Sequence, residues 1–267
     1  MTDKKTFEEN IIEDIQKTGY PTEITAAGIM QANGWSVIHN PSFWDQEEQK
    51  SREFDIQAYR QWQAQSQNWT MGVYLIAECK KSEKPWVFFT TEEKYEHGRL
   101  GSLIYSRVKG TPLFTSYDQD SALIPDSDLR SSHHYFRFER QARTFYEPLK
   151  NQDKAAHSTT IYTAVMSAIK ATLFRWADTA YEKWIGLYYP IIILAGDLFD
   201  ARIGPGKTVS ITKTDHVQLS FHYMQPDPRV HSKLSRRQFT VDVIHEDYLA
   251  QFLKLVEEEH QVIADKI

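Results

Sequence analysis

The run Leu187-Tyr188-Tyr189-Pro190-Ile191-Ile192-Ile193-Leu194-Ala195 constrains this chain more than any other stretch. Aromatic and β-branched side chains follow one another with no polar residue to face water, the pattern of a strand covered on both faces. Such a strand needs a layer on each side, and helical periodicity elsewhere supplies candidates. From Ser158 to about residue 183, Ile161, Val165, Ile169, Leu173 and Trp176 recur at spacings of four, four, four and three, predicting a long crossover helix with one apolar face. The apolar stretch Ile185 to Gly196 contains Pro190 and falls well short of the ~20 residues of a membrane-spanning helix.

The remaining elements alternate in the same manner. Thr6 and Glu9 have capping-box spacing ahead of Phe7, Ile11, Ile12 and Ile15, and a second helix with Glu23 in its first turn ends at Asn33-Gly34. Strands are predicted at Trp35–His39, Arg52–Trp62, Gly72–Lys81, Thr208–Thr212, Val217–Tyr223 and Phe239–Ile244, with a loop at Asn40–Lys50 and a last helix from Glu246 to Ala264. Residues 85–157 are polar, aromatic and broken by glycine and proline, and read as an insertion. The expected fold is a single α/β domain over 1–267, a central mixed β-sheet flanked by helices.

Chemistry concentrates where the Gly72–Lys81 strand turns polar, at Glu78-Cys79-Lys80. Alternation puts Glu78 and Lys80 on one face, about 6.6 Å apart along the backbone, and Cys79 on the other. If the strand carrying Asp55 pairs with this one, Asp55 approaches Glu78. Two carboxylates on one point repel and lose hydration unless a hard divalent cation takes their oxygens. A lysine beside them suits a reaction that builds negative charge, such as phosphodiester hydrolysis. Asp-or-Glu-x-Lys also occurs at Asp3/Lys5, Glu48/Lys50 and Glu92/Lys94, but only Glu78/Lys80 ends an apolar strand behind an Asp-bearing one. The bland alternative is a set of ordinary surface ion pairs among Arg52, Asp55, Glu78 and Lys80.

The order helix with Glu23, strand, strand with Asp55, strand with Glu78-x-Lys80, helix, strand resembles the PD-(D/E)XK nuclease superfamily, the restriction-endonuclease-like fold. The stretches GWSVIHN, SREFDIQAY and YLIAECKKSEKPWVFF carry the likeness over roughly residues 20 to 90. The resemblance implies an endonuclease acting on DNA with Mg²⁺, for which Mn²⁺ substitutes, on a core with a large insertion after its third strand. It makes Asp55, Glu78 and the Cys79 carbonyl metal ligands, Glu23 an auxiliary ligand and Lys80 the catalytic lysine, and it admits a homodimer. Phe54 stands where the written motif has proline. The competing reading is a catalytically inactive nuclease-fold protein serving as a nucleic-acid-binding or oligomerisation module.

Composition tempers this. With 31 Lys+Arg against 36 Asp+Glu the net charge is -5, so no global cationic field draws nucleic acid. Basic residues gather in two stretches instead. Arg130, Arg137, Arg140 and Arg143 interleave with aromatics, and Arg229, Lys233, Arg236 and Arg237 run without acids, so that Arg137, Arg140, Arg143, Arg236 and Arg237 are candidate nucleic-acid contacts. The single cysteine excludes an internal disulfide and a CxxC zinc site and fits a cytoplasmic protein, as does a start without a signal-peptide pattern. Gly204-Pro205-Gly206-Lys207-Thr208 lacks the first glycine of a phosphate loop and reads as a turn. His133, His134, His216, His222, His231 and His245 show no metal-ligand spacing and read as surface or core histidines.

Overall fold

A computed structural model describes residues 5–63, 70–92, 104–105, 133–147, 159–178, 184–226 and 234–266. In chain order they form α1 (Phe7–Lys17), α2 (Tyr20–Ala32), β1 (Ser36–His39), β2 (Ser42–Asp45), β3 (Lys50–Glu53), β4 (Ile56–Gln63), β5 (Thr70–Lys81), β6 (Trp86–Glu92) and β7 (Ile104–Tyr105). There follow α3 (His134–Arg137), β8 (Arg140–Tyr146), α4 (Thr159–Asp178), β9 (Trp184–Ala195), β10 (Leu198–Ile203), β11 (Val209–Lys213), β12 (His216–Pro226), β13 (Leu234–His245) and α5 (Leu249–Lys266).

Eleven strands build one mixed sheet in the order β1-β4-β5-β9-β13-β12-β8-β6-β10-β11, with β7 pairing against β9. β1, β4 and β5 form an antiparallel meander, and α4 then carries the chain across to β9, parallel to β5 along its whole length. The expected α/β architecture is therefore present. β9 lies between β5 and β13, and its Leu187, Tyr189, Ile191 and Ile193 pack on one face against Ala26, Ala27 and Met30 of α2 and Phe252, Leu253 and Val256 of α5. On the opposite face Tyr188, Ile192 and Leu194 meet Ile161, Val165, Ile169 and Leu173 of α4. Gly72 in β5 is dictated by this packing, since a Cβ there would lie 2.0 Å from the Trp184 ring.

Three departures from the sequence expectations bear on the core and the candidate site. The loop predicted at Asn40–Lys50 contains β2, which pairs with β3 in a separate hairpin; the buried Phe43 and Asp45 alternate with the exposed Trp44, a period that its polar composition hides. The single strand predicted at Arg52–Trp62 breaks at Phe54-Asp55, where Phe54 turns inward. Residues 85–157 supply β6 and β8, inner strands of the sheet whose Trp86, Phe88 and Ala142 are buried in the core, so the described parts of the expected insertion are woven into the sheet. The Gly204–Thr208 turn is present as a short 3-10 segment. Among the described residues no helix is long and apolar enough to cross a membrane.

Candidate active site

The last rung between β4 and β5 pairs Ile56 with Ala77. Asp55 and Glu78 thus stand just past the point where the two backbones stop bonding each other. The Asp55 carboxylate takes over there: its Oδ2 accepts the Cys79 N–H at 2.6 Å. Lys80 reaches back along its own face, with Nζ 2.7 Å from Glu78 Oε2 and 3.7 Å from Asp55 Oδ2. The Ser167 hydroxyl, from α4, donates to Glu78 Oε1. The alternation predicted from sequence holds, because Glu78 and Lys80 share a face while Cys79 is buried on the other with Val73, Leu75 and Ala77. That position makes the thiol inert: burial, then the Asp55, Glu23 and Glu78 carboxylates, push its pKa well above the ordinary value.

Glu78 is 4% exposed, and burial raises its pKa although Lys80 and Ser167 favour the ionised form. Burial pulls the Lys80 ammonium the other way, but Glu78 and Asp55 outweigh it and hold the lysine above its ordinary value. Lys80 is therefore a fixed cation. Glu23 sits half-buried in the first turn of α2; burial and then the Asp55 charge raise its pKa, against smaller opposing effects of Lys80 and His39. Glu23, Asp55 and the Glu78/Lys80 pair, from three separate elements, come together at one end of the meander.

Phe54, the residue before Asp55, is held in place by packing. Its ring is 1% exposed and packs with Phe43, Ile76 and Ala171, anchoring the residue before Asp55 in the apolar layer beneath α4. Lys170 strengthens the same junction. Its Nζ lies 3.0 Å from Asp45 Oδ2 and 2.7 Å from Glu47 Oε2, tying α4 to the β2–β3 hairpin, and against the effect of burial this contact holds Asp45 below the usual carboxylate range.

The basic candidates lie elsewhere. Four strand steps separate β8 from β5, or about 19 Å at ~4.8 Å per step. On or beside β8, Arg137 and Arg143 are exposed, whereas Arg140 is engaged internally, donating to Thr90 Oγ1 at 2.9 Å and to the Thr90 carbonyl at 2.7 Å. Arg236 and Arg237 occupy backbone positions on β13 opposite Met224 and Tyr223. Their side chains, and Arg130, Arg229 and Lys233 altogether, lie outside the described residues.

A second polar centre is one that sequence reasoning missed. His133, His134 and Glu259 are fully buried, and their ligand atoms lie within 4.8 Å of one another; among the described residues no other His, Cys, Asp or Glu trio does so. Such a group could hold a metal ion, but its hydrogen bonds also close without one. His133 Nδ1 accepts the Tyr135 N–H at 3.1 Å, so the proton of the neutral ring is on Nε2, 2.9 Å from the Tyr189 oxygen. Tyr189 in turn donates to His260 Nε2 at 2.7 Å, and His260 Nδ1 donates to the Val256 carbonyl. His134 faces carboxylates on both sides, Glu259 Oε1 at 2.6 Å and Asp242 Oδ2 at 3.2 Å. Burial lowers His133 to about 3; it would lower His134 too, but Glu259 and Asp242 lift that ring to about 10. One imidazolium thus sits between two buried carboxylates. The only sequence signal was adjacency of two histidines, since Asp242 and Glu259 are more than a hundred residues away.

No family model, curated protein or solved structure matches this chain.

Proposed function

We propose that this protein is a metal-dependent phosphodiester hydrolase of the PD-(D/E)XK type, an endonuclease acting on DNA, built on a restriction-endonuclease-like core of α2, β1, β4, β5, α4 and β9. The observation that carries the reading is the convergence of Asp55, Glu78 and Lys80 beyond the last β4–β5 rung, with Glu23 beside them. Ordinary surface ion pairs do not bury a carboxylate to 4% exposure. The donor set fits Mg²⁺ or Mn²⁺, hard cations that take carboxylate and carbonyl oxygens. Asp55 and Glu78 would hold the ion with Glu23 as an auxiliary ligand. Cys79 would add its carbonyl, which shares with its N–H the side of β5 that β4 has left. A bound metal polarises a phosphoryl oxygen and lowers the pKa of an attacking water.

The chain's own groups then have distinct tasks. Lys80, an ammonium beside the two carboxylates, would place positive charge where the phosphorane builds negative charge. Glu23, half-buried and with its pKa raised by burial and then by the Asp55 charge, would help hold and orient the attacking water. The test is cleavage of linear, circular and single-stranded DNA with Mg²⁺ or Mn²⁺. Asp55→Ala and Lys80→Ala are expected to lower the rate at least ~100-fold; cleavage unchanged in either would remove the mechanism.

One observation favours the non-cutting module. The Lys80 ammonium stands between the two carboxylates, and Glu23, Asp55 and Glu78 do not bring their oxygens within 4.8 Å of one another. If so, Mn²⁺ will fail to bind at millimolar concentration while DNA or a second copy of the chain still does.

A further inference from the structure

We infer that Ser167 is a positioning residue for the candidate site, fixing the Glu78 carboxylate in the orientation that offers it to a divalent cation; this rests on the hydrolase reading above. A serine within a helix ordinarily returns its hydroxyl to the carbonyl four residues back or points it into water. Thr172, five residues further along α4, does the former, donating to the Ala168 carbonyl at 2.7 Å. Ser167 does neither and gives its one hydrogen to Glu78 Oε1 on the strand below.

The surroundings allow this approach. Ala164 and Ala171, at i−3 and i+4, leave room for the hydroxyl to reach the sheet, and both are fully buried. Glu78 then has one partner per oxygen, Ser167 on Oε1 and Lys80 on Oε2, so the carboxylate cannot rotate without breaking a charge-assisted bond. Lys170, three residues on and therefore beside Ser167 on the helix surface, ties α4 to the hairpin leading into Asp55. α4 thus orients both acids, one directly and the other through Asp45 and Phe54.

The test is Mn²⁺ titration by calorimetry of the full chain, stripped with chelator, alongside DNA cleavage rates. Ser167→Ala keeps a helix former but leaves a buried carboxylate oxygen short of a partner, so the chain is expected to stay folded with its melting temperature lowered by a few degrees. It should weaken Mn²⁺ binding about 10- to 100-fold, as loss of an outer partner of a metal ligand does. KM for DNA should stay put, and Ser167→Thr, which keeps the hydroxyl, should restore most of the loss. If the wild-type chain binds Mn²⁺ and Ser167→Ala binds it equally well, Ser167 has no positioning role and the hydrolase reading survives. If the wild-type chain does not bind Mn²⁺, and Asp55→Ala behaves the same, the metal reading fails and the role of Ser167 falls with it.

Discussion

Removing the cation at His134 exposes what holds the back of the sheet together. In His134→Asn, Glu259 and Asp242 lose the imidazolium between them, and all three groups are fully buried, so no solvent softens the loss. The rise of the ring from 6.5 to about 10 corresponds to about 5 kcal/mol at ~1.36 kcal/mol per pH unit. Breaking one side of a buried ion pair costs about 3–5 kcal/mol by mutation, and the two figures agree. Against a total stability of ~5–15 kcal/mol this is a large fraction, a melting temperature lower by roughly 6–20 °C. Between pH 6.5 and about 10 the folded chain keeps a proton that the unfolded chain has released, so this contribution is complete below pH 6.5, declines with rising pH and is gone above about 10. Glu259 works from the other end: held at about 2 by the neighbouring histidines despite burial, it loses its contribution as pH falls from the ordinary carboxylate range toward 2. Thermal unfolding across pH, with ¹⁵N spectra of the ring at pH 8, tests the assignment. A neutral ring at pH 8, or a loss under about 1 kcal/mol in His134→Asn, would refute it, and the double variant with Glu259→Gln should lose less than the sum of the singles.

Other expectations concern packing. Phe54→Ala should cost about 3–5 kcal/mol in urea unfolding by emptying the layer shared with Phe43 and Ala171; a loss below ~1 kcal/mol would mean the residue before Asp55 is not anchored as described. Cys79, buried and with its pKa raised, should resist maleimide labelling in the native chain and react once unfolded; rapid native labelling would contradict its place in the core. Gly72→Ala forces the Trp184 ring to move and should destabilise by roughly 1–3 kcal/mol, visible as a lowered melting temperature.

Local chemistry made much of this protein legible in one dimension. The Thr6/Glu9 capping box, the stop at Gly34 with φ +80°, the buried run ending at Ala195 and the opposed faces of Glu78 and Cys79 all follow from interactions within a few residues, and all are present. The approach of Asp55 to Glu78 was also readable, because a short antiparallel meander leaves few registers that keep Ala58 and Ala77 buried. Tertiary structure decided the rest. That β6 and β8 enter the sheet, that Arg140 spends its guanidinium on Thr90, that Ser167 faces Glu78, and that His134 sits between Glu259 and Asp242 all depend on contacts between residues distant in sequence. Periodicity reports which face of an element avoids water, and carries no record of which distant element covers it or which distant charge completes a buried polar group.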